Sequence, residues 1–170
     1  MIDRPDPSEY NEFYQGYIDK VKNKDVIEFL KVQRRTFSRL LNSLTDDRVH
    51  YRYAADKWTV KQVLRHVIDA EIVFASRLHA IAKCPGVTMP GMDQDAYMEN
   101  TNDATVSFDL LVDEFNNVRK ANISMIENLH ESGYSNVGVA SGFPISVRAL
   151  LYILAGHAEH HKGILKERYL

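Results

Sequence analysis

The chain of 170 residues contains only one cysteine, Cys84. A single thiol excludes an internal disulfide and any metal site built from several thiolates, such as a zinc finger or an iron–sulfur cluster. The chain also lacks a long block of Lys or Arg, and its formal net charge is only −2, so neither nucleic acid nor an acidic membrane surface is expected as a partner. Any metal ion must therefore be bound by nitrogen and oxygen atoms.

Long apolar runs are missing as well. No stretch reaches the roughly 18 apolar residues of a membrane span, and the opening residues, MIDRPDPSEYNEF, lack the apolar core of a secretory signal. The composition, with 45% hydrophobic and 26% charged residues, is that of an ordinary globular protein whose length fits one domain, residues 1–170. We therefore expect a cytoplasmic protein with no membrane partner.

Much of the sequence shows apolar residues that recur with the 3.6-residue period of amphipathic helices. Four stretches of about 20 residues repeat their apolar side chains at threes and fours. They cover residues 24–44, 59–83, 107–129 and 146–165. Thr59 followed by Gln62 predicts a capping box at the start of the second helix, and Ser146 is the expected N-cap of the fourth. No pair of strands is convincing, so the pattern predicts an all-α four-helix bundle.

Two further segments lie outside these helices. Residues 1–23 predict a short extra helix with Ser8 as N-cap, which we expect to pack as an appendage across the bundle of residues 24–170. Residues 85–105 contain Gly, Pro, Asn and Asp and predict a long crossover loop between helices two and three, with a turn of helix around residues 96–99. Loops of this length often line a functional site.

Three of the seven histidines lie in the segment GHAEHHKGIL, residues 156–165. On a helix, His157 and His161 are about 40° apart around the axis and about 6 Å apart along it, so both rings can approach one metal ion. His160 can replace His161 in this pair, but one helix cannot direct all three rings at one small ion. Alternatively, the histidines form a polar edge of the helix.

A third ligand must come from another part of the chain. His66 is the best candidate, because it lies on the apolar face of the second helix. His79 points about 220° away around the same helix, and His50 and His130 are expected at the surface. A lone histidine on an apolar face is also a common hydrogen-bonded core residue, so the metal-free alternative is a polar patch inside the bundle.

Four segments, taken in order, resemble the DinB/YfiT-like family of bacterial metal-binding four-helix bundles. They are YRYAADKWTVKQVLRHVIDAEIVFASRL, PGMDQDAYMEN, FDLLVDEFNNVRKANISMIENL and SGFPISVRALLYILAGHAEHHKGILKERYL. The resemblance runs from about Lys24 to the last residue, and KWT…H…DAE and GHAEHH are its specific signatures. It implies a bundle with a long crossover between helices two and three, and a divalent ion, zinc or nickel, bound by His66, His157 and His161.

The resemblance also implies an activity. The family includes thiol-dependent transferases and isomerases, and members described as metal-dependent hydrolases, so we expect a metal-dependent enzyme of the S-transferase or hydrolase type that acts on a small-molecule substrate. Cys84 is expected at the exit of helix two, so a reactive sulfur would come from a low-molecular-weight thiol such as bacillithiol or glutathione. The alternative is a non-catalytic binding or stress-associated module in which the ion joins helices two and four.

Charged residues near the histidines are weaker candidates. Asp69 and Glu71 can orient a ligand histidine through its second ring nitrogen, or they belong to ion pairs on the helix surface. Arg77, Arg119 and Arg148 can bind an anionic substrate, or each pairs with a helix carboxylate. These alternatives stay open, and the sequence identifies neither a catalytic nor a cofactor-binding residue.

Two remaining features bear on the site and on assembly. The aspartates of GMDQDAY, Asp93 and Asp95, either approach the metal from the crossover loop or act as turn and cap residues. Tyr14, Tyr17, Phe37 and the terminal ERYL, residues 167–170, suggest partly apolar faces beyond the metal side, which favours a homodimer. The alternative is that these aromatic residues only attach the N-terminal segment to its own bundle.

Overall fold

The structure, a computed structural model, describes residues 2–22, 25–102 and 105–170. The helices are α1 (Gln15–Ile18), α2 (Val26–Leu41), α3 (Asp46–Val49), α4 (Val60–Lys83), α5 (Gln94–Glu99), α6 (Phe108–Glu127) and α7 (Val147–Ile164). The long helices α2, α4, α6 and α7 pack their apolar faces together, which confirms the predicted four-helix bundle. None of the helices in the described ranges is both long and apolar enough to cross a bilayer.

Side-chain caps fix where the long helices begin. Thr59 Oγ1 accepts the backbone N–H of Gln62, and the Gln62 side chain accepts the backbone N–H of Thr59. This is the predicted capping box, and it satisfies two backbone donors that a helix start leaves open. Ser107 and Ser146 cap α6 and α7 by accepting one backbone N–H each, from Leu110 and Ala149. The first turns of these three helices are therefore encoded locally.

The N-terminal half departs more from prediction. Asp25 caps α2 by accepting the backbone N–H groups of Ile27 and Glu28, whereas the predicted start at Lys24 lies outside the described residues. The prediction of Ser8 as an N-cap is wrong. Ser8 lies within a 3-10 turn, residues 7–9, and the N-cap of that turn is Asp6. A proline after the cap, as in Asp6-Pro7, suits the first helical position because that N–H needs no partner.

Helix α1 lies directly against α7. A Cβ atom on Gly156 would overlap the backbone carbonyl of Tyr17, so the two helices approach closely only because this position has no side chain. Ile18 is fully buried in the main core, and Arg148 of α7 forms an ion pair with Glu9. The N-terminal segment thus covers one side of the helix that contains three histidines.

A small sheet was missed by the sequence analysis. Strands β1 (Thr88–Met89), β2 (Val137–Ala140) and β3 (Phe143–Ser146) have the order β1-β2-β3. β1 is parallel to β2, and β2 is antiparallel to β3, with Ala140 opposite Phe143. Ser141 and Gly142 both have positive φ, 53° and 84°, as a two-residue hairpin turn requires. Strands of two to four residues are too short to show a period.

The crossover between α4 and α6 is partly structured. It supplies β1 to the sheet and then forms α5, which contains the predicted turn of helix. Two groups of buried apolar side chains fill the bundle, one including Leu78 and Leu151 and the other including Leu64 and Phe115. Ala155 belongs to the first group and Ala158 to the second, so the histidines of α7 begin where the two groups meet.

Candidate metal centre

His66 of α4 and His157 and His161 of α7 come together in one cluster. The Nε2 atoms of His66 and His157 are 3.1 Å apart, and one ring nitrogen from each of the three lies within 4.8 Å of the others. Nitrogen ligands about 2.0–2.1 Å from a tetrahedral ion are about 3.4 Å from one another. The three side chains therefore fit around one ion with small adjustments of their rings.

His160 stays outside this cluster. Its ring lies 5.3 Å from the ring of Tyr17 and 5.1 Å from that of His161, in edge-to-face contacts. Helical geometry agrees with the difference, because His161 lies about 40° around the helix from His157 whereas His160, three residues away, lies about 60° away on the other side. The interpretation that His161 rather than His160 joins His157 now has a geometric basis, and its role as a ligand stays a prediction.

Burial keeps the cluster uncharged at neutral pH. Burial lowers the pKa of His66 to about 4, against the opposing charge of Asp95. Burial and the neighbouring rings of His66 and His160 lower the pKa of His161 to about 3. The pKa of His157 falls well below its usual value, chiefly through burial and then through the other histidines. Neutral imidazoles offer the lone pair that a metal ion needs.

Asp69 and Glu71 do not contact the cluster through hydrogen bonds. Glu71 accepts two hydrogen bonds of 2.7 Å from Arg119, and its relative exposure is 2% while that of Arg119 is 0%. Asp69 lies 3.5 Å from Arg65, and burial raises the pKa of Asp69 against the pull of that arginine. The alternative of ion pairs therefore describes both carboxylates.

The Arg119 ion pair belongs to a wider buried network that sequence reasoning missed. Arg119 Nη1 donates to Gln33 Oε1 at 2.6 Å, and Gln33 Nε2 donates to the carbonyl oxygen of Ala155 at 2.9 Å and to Glu159 at 2.8 Å. Gln33 thereby joins α2 and α6 to α7 at a position two residues before His157. In the sequence, Gln33 is an unremarkable polar residue within a helix.

Aromatic side chains surround the histidines. The ring of Trp58 lies 5.0 Å from that of His66, while Tyr17 and Phe74 lie 5.4 and 5.6 Å from the ring of His157. These side chains exclude water from much of the cluster, which strengthens electrostatic interactions there. Trp58, the sole tryptophan, stands in the KWT signature, and this was the available signal for its role.

A cleft of about 270 Å³ opens beside the cluster and is lined by His161, Trp58 and Asp95, among others. Asp95 is the loop aspartate that approaches the histidines, and its charge counteracts the burial that lowers the pKa of His66. No hydrogen-bond donor or cation in the described ranges pairs with its carboxylate. Asp93 instead caps α5 by accepting backbone N–H groups of Asp95 and Ala96.

A larger groove of about 560 Å³ runs beneath the crossover and is lined by Arg65, Asp69, Tyr97 and Asn100, among others. None of the histidines lines it. The smaller cleft beside His161 is therefore the better position for chemistry at the cluster, although the larger groove has room for a bulky part of a ligand.

The other predicted residues have separate positions. Arg148 pairs with Glu9, whereas Arg77 donates to the backbone carbonyl of Pro90 rather than to a carboxylate. Cys84 is exposed at the end of α4, as expected, and is its C-cap residue. It is not among the residues that line the cleft beside His161.

Comparisons with known proteins bear on the family and the fold of the chain. The sequence profile of the DinB superfamily matches residues 30–165. A protein of Oceanobacillus iheyensis named "Putative metal-dependent hydrolase" is 26% identical over 153 residues, which are 87% of each chain. YfiT from Bacillus subtilis, a probable metal-dependent hydrolase with an unusual four-helix bundle topology, superposes with a TM-score of 0.70 at 17% identity, covering 96% of this chain and 89% of YfiT.

Two further solved structures share the fold. A mycothiol-dependent maleylpyruvate isomerase has a TM-score of 0.68 at 13% identity, over 85% of this chain and 61% of the isomerase. A DinB-like protein from Bacillus subtilis has a TM-score of 0.61 at 18% identity, over 83% and 86% of the two chains. The same bundle therefore occurs in proteins with different described activities, and the activity must be argued from the site.

Proposed function

Because the chain belongs to the DinB superfamily, we propose that it is a metal-dependent enzyme that binds one divalent ion through His66, His157 and His161. The observation behind this proposal is the convergence of three neutral imidazoles from two helices, two buried and one half-buried, with their nitrogens within 4.8 Å of one another. Ligands that are all nitrogen suit zinc or nickel. With three protein ligands, such an ion would supply Lewis-acid chemistry, the polarisation of a substrate carbonyl or the activation of water or a thiol.

The chain's own residues would orient a substrate and move a proton. Trp58 and His161 line the cleft, so a small substrate there lies against an aromatic wall and beside the ion ligands. The Asp95 carboxylate lines the same cleft, and no described side chain neutralises it. It is therefore the group available to accept a proton from a nucleophile in the cleft.

Hydrolysis is the leading reaction class, since relatives of this chain are described as metal-dependent hydrolases. The alternative is thiol transfer, and it is favoured by the shared fold of the mycothiol-dependent isomerase. The lone thiol, Cys84, does not line the cleft. A thiol reaction would therefore use a low-molecular-weight thiol as co-substrate.

One set of assays tests the metal and the reaction class. Metal analysis after purification without chelators should find about one divalent ion per chain. The loaded protein is then incubated with a panel of small esters, amides and epoxides, with and without bacillithiol or glutathione. Turnover without thiol supports a hydrolase, and a product heavier by the thiol supports a transferase. A protein that binds metal tightly and unfolds without it, with no turnover, would indicate a structural ion instead.

We also propose that the protein forms a homodimer. Phe13, Leu110 and Phe143 are large apolar side chains that are 72%, 62% and 51% exposed, and a second copy would cover at least one of them. Phe37, which we expected near the surface, is fully buried, and Tyr17 packs against His157, so these two do not support the dimer. Light scattering at micromolar concentration tests it, and a mass near the 19.5 kDa of one chain would contradict it.

The expected location is the cytoplasm. An exposed, unpaired cysteine suits a reducing compartment, because thiols stay reduced there. Fractionation of cells that express a tagged full chain would test this proposal, and recovery outside the cytoplasmic fraction would contradict it.

A further inference from the structure

Arg77 of α4 and Arg119 of α6 are buried in the bundle and Arg65 of α4 is half-buried, and Arg77 differs from the other two. Arg119 donates two hydrogen bonds to Glu71, and Arg65 donates two to Glu114. Arg77 is 3% exposed, yet no carboxylate of the described residues lies within ion-pair distance of it. Burial lowers the pKa of its guanidinium, and the described residues that act against this effect are two tyrosines, Tyr14 and Tyr97, which are neutral at pH 7.

The partners of Arg77 are few and neutral. Nη2 donates to the carbonyl oxygen of Pro90 at 2.6 Å, and the Tyr14 hydroxyl is the other acceptor nearby. A guanidinium has five N–H donors on three nitrogens, so at least one nitrogen has no acceptor among the residues that the structure describes. Every fully buried side-chain nitrogen or oxygen in the described part of the chain does have a partner. The open nitrogen of Arg77 therefore faces a space that solvent can reach.

This arrangement lowers the stability of the fold, so a purely structural role does not explain it. Burial lowers the pKa of Arg77, but a guanidinium stays protonated in proteins, so the charge persists. A buried charge without a counter-charge destabilises a fold, whereas a neutral donor could bind the Pro90 carbonyl equally well. The N–H donors of Arg77 that remain free in this setting can bind an anionic oxygen group by charge-assisted hydrogen bonds.

Arg77 also lies on the same side of α4 as the histidine cluster. Positions 66 and 77 are about 20° apart around an ideal helix and about 16 Å apart along it, and helical side chains lean towards the N-terminus, here towards His66. Phe74 fills the interval. Its ring is 5.9 Å from the Arg77 guanidinium carbon and 5.6 Å from the ring of His157. Tyr14 and Tyr17, whose rings are 6.5 Å apart, form a second link between the two sites.

We propose that Arg77 binds an anionic oxygen group, a carboxylate or a phosphate, on a substrate whose reacting part lies at the three histidines. The Phe74 ring lies between the two sites and would border the apolar middle of that substrate. The assignment of the ligand as a substrate rests on the proposed function, whereas the anion site at Arg77 does not require a metal ion. The two ideas can therefore fail separately.

Ligand-detected NMR with the metal-free full chain tests the anion site. Benzoate and phenyl phosphate are the charged probes, and benzamide is a neutral probe of similar shape. We expect at least one charged probe to bind more tightly than benzamide, and Arg77→Met to weaken it by about tenfold or more, since charge-assisted hydrogen bonds are lost. Arg39→Met, which removes an exposed arginine of α2, should change nothing. The preferred charged probe identifies the anion.

Stability separates recognition from a merely structural role. Met has a similar shape and no charge, so the melting temperature of Arg77→Met should equal or exceed that of the wild type. A lower melting temperature together with unchanged probe binding would overturn the proposal, as would benzamide binding as tightly as both anions. If Arg77→Met does not fold, Arg77→Lys replaces it, since it retains the charge without the fork. Weaker probe binding by Arg77→Lys would support the proposal, and unchanged binding would overturn it.

The metal-loaded protein distinguishes this idea from the proposed function. Zinc affinity of Arg77→Met, measured by chelator competition, should match that of the wild type, because Arg77 is no ligand. Loss of probe binding with normal zinc binding supports the anion site. Failure of the wild type to bind zinc would contradict the proposed function, and the NMR result would still decide the anion site.

Discussion

Two buried polar clusters lie close together in this bundle, and their hydrogen bonding differs sharply. Around Arg119, the guanidinium binds Glu71 and Gln33, and Gln33 binds the backbone of α7. The three histidines, by contrast, make one hydrogen bond among themselves, between His66 and His157, and otherwise pack against aromatic rings. In the cluster around Arg119, the charges are paired and the hydrogen-bond donors have acceptors. In the histidine cluster, several ring nitrogens form no hydrogen bond with any described side chain or backbone group.

The contrast distinguishes buried polar groups that stabilise the fold from buried polar groups that are available to a ligand. A buried polar group that finds every partner within the protein fixes the helices relative to one another. A buried group without such partners costs stability and is retained for a ligand that the chain does not supply. The Arg119 network holds α7 near His157, so the fully hydrogen-bonded cluster around Arg119 helps to position the three histidines.

The largest expected effect on stability comes from breaking the cluster around Arg119. Glu71→Ala leaves Arg119 buried without its carboxylate and should lower the free energy of unfolding by about 3–5 kcal/mol. Urea denaturation measures this, and Glu114→Ala, which breaks a more exposed pair with Arg65, is the control with an expected loss below about 1 kcal/mol. Similar losses for the two variants would remove the distinction between the clusters.

Metal removal should have a somewhat smaller effect on stability. An ion present at a hundredfold excess over its dissociation constant stabilises the fold by about 2.7 kcal/mol, so chelation should lower the melting temperature without unfolding the chain. His157→Ala should abolish both metal binding and this difference, whereas His160→Ala should preserve both. If His160→Ala abolishes metal binding instead, the assignment of His161 as the third ligand is wrong.

A third prediction concerns the segment that covers the histidines. Gly156→Ala places a methyl group against the backbone carbonyl of Tyr17 and should cost about 1–3 kcal/mol as α1 moves from α7. Because Tyr17 contacts His157, its fluorescence or NMR signals should change as well. Gly163→Ala, where no atom lies within 4 Å of the added carbon, is the control on the same helix. Equal stability of the two variants would show that α1 does not pack as described.

The smallest effect expected of a single residue is the contribution of each clustered histidine to the pH dependence of stability. Burial holds the pKa of His66 at about 4 and that of His161 at about 3, below the unfolded value of about 6.5. The unfolded chain therefore takes up protons first as the pH falls, so the metal-free fold loses stability from about pH 6.5 down towards the folded pKa values. At pH 5.5 the loss should be about 1 kcal/mol for each buried histidine.

Urea denaturation of the metal-free protein at pH 7.5 and 5.5 measures this loss. His50→Gln, which removes an exposed histidine, should leave the pH dependence as it is. His161→Gln should reduce it, because glutamine does not titrate. An unchanged slope in His161→Gln would show that the histidine cluster is not the source of the acid sensitivity.

Local patterns in the sequence determined the helices and their starts. The capping pair Thr59 and Gln62 and the N-cap Ser146 act within one turn, and apolar periodicity extends over each long helix. The same period puts His157 and His161 on one face, so the candidate site could be predicted in outline. Its ligand assignment still awaits a metal measurement.

Only the tertiary structure decided which residues meet across the bundle. Gln33 reaches Arg119 and Ala155 from helices far apart in sequence, and nothing in its local pattern distinguishes it. β1 pairs with a strand about 50 residues away, which explains why the sheet was missed. The isolation of Arg77 is equally invisible, since whether a charge is neutralised depends on the side chains that packing brings beside it. Periodicity is a property of neighbours along the chain, whereas charge balance and burial are properties of neighbours in space.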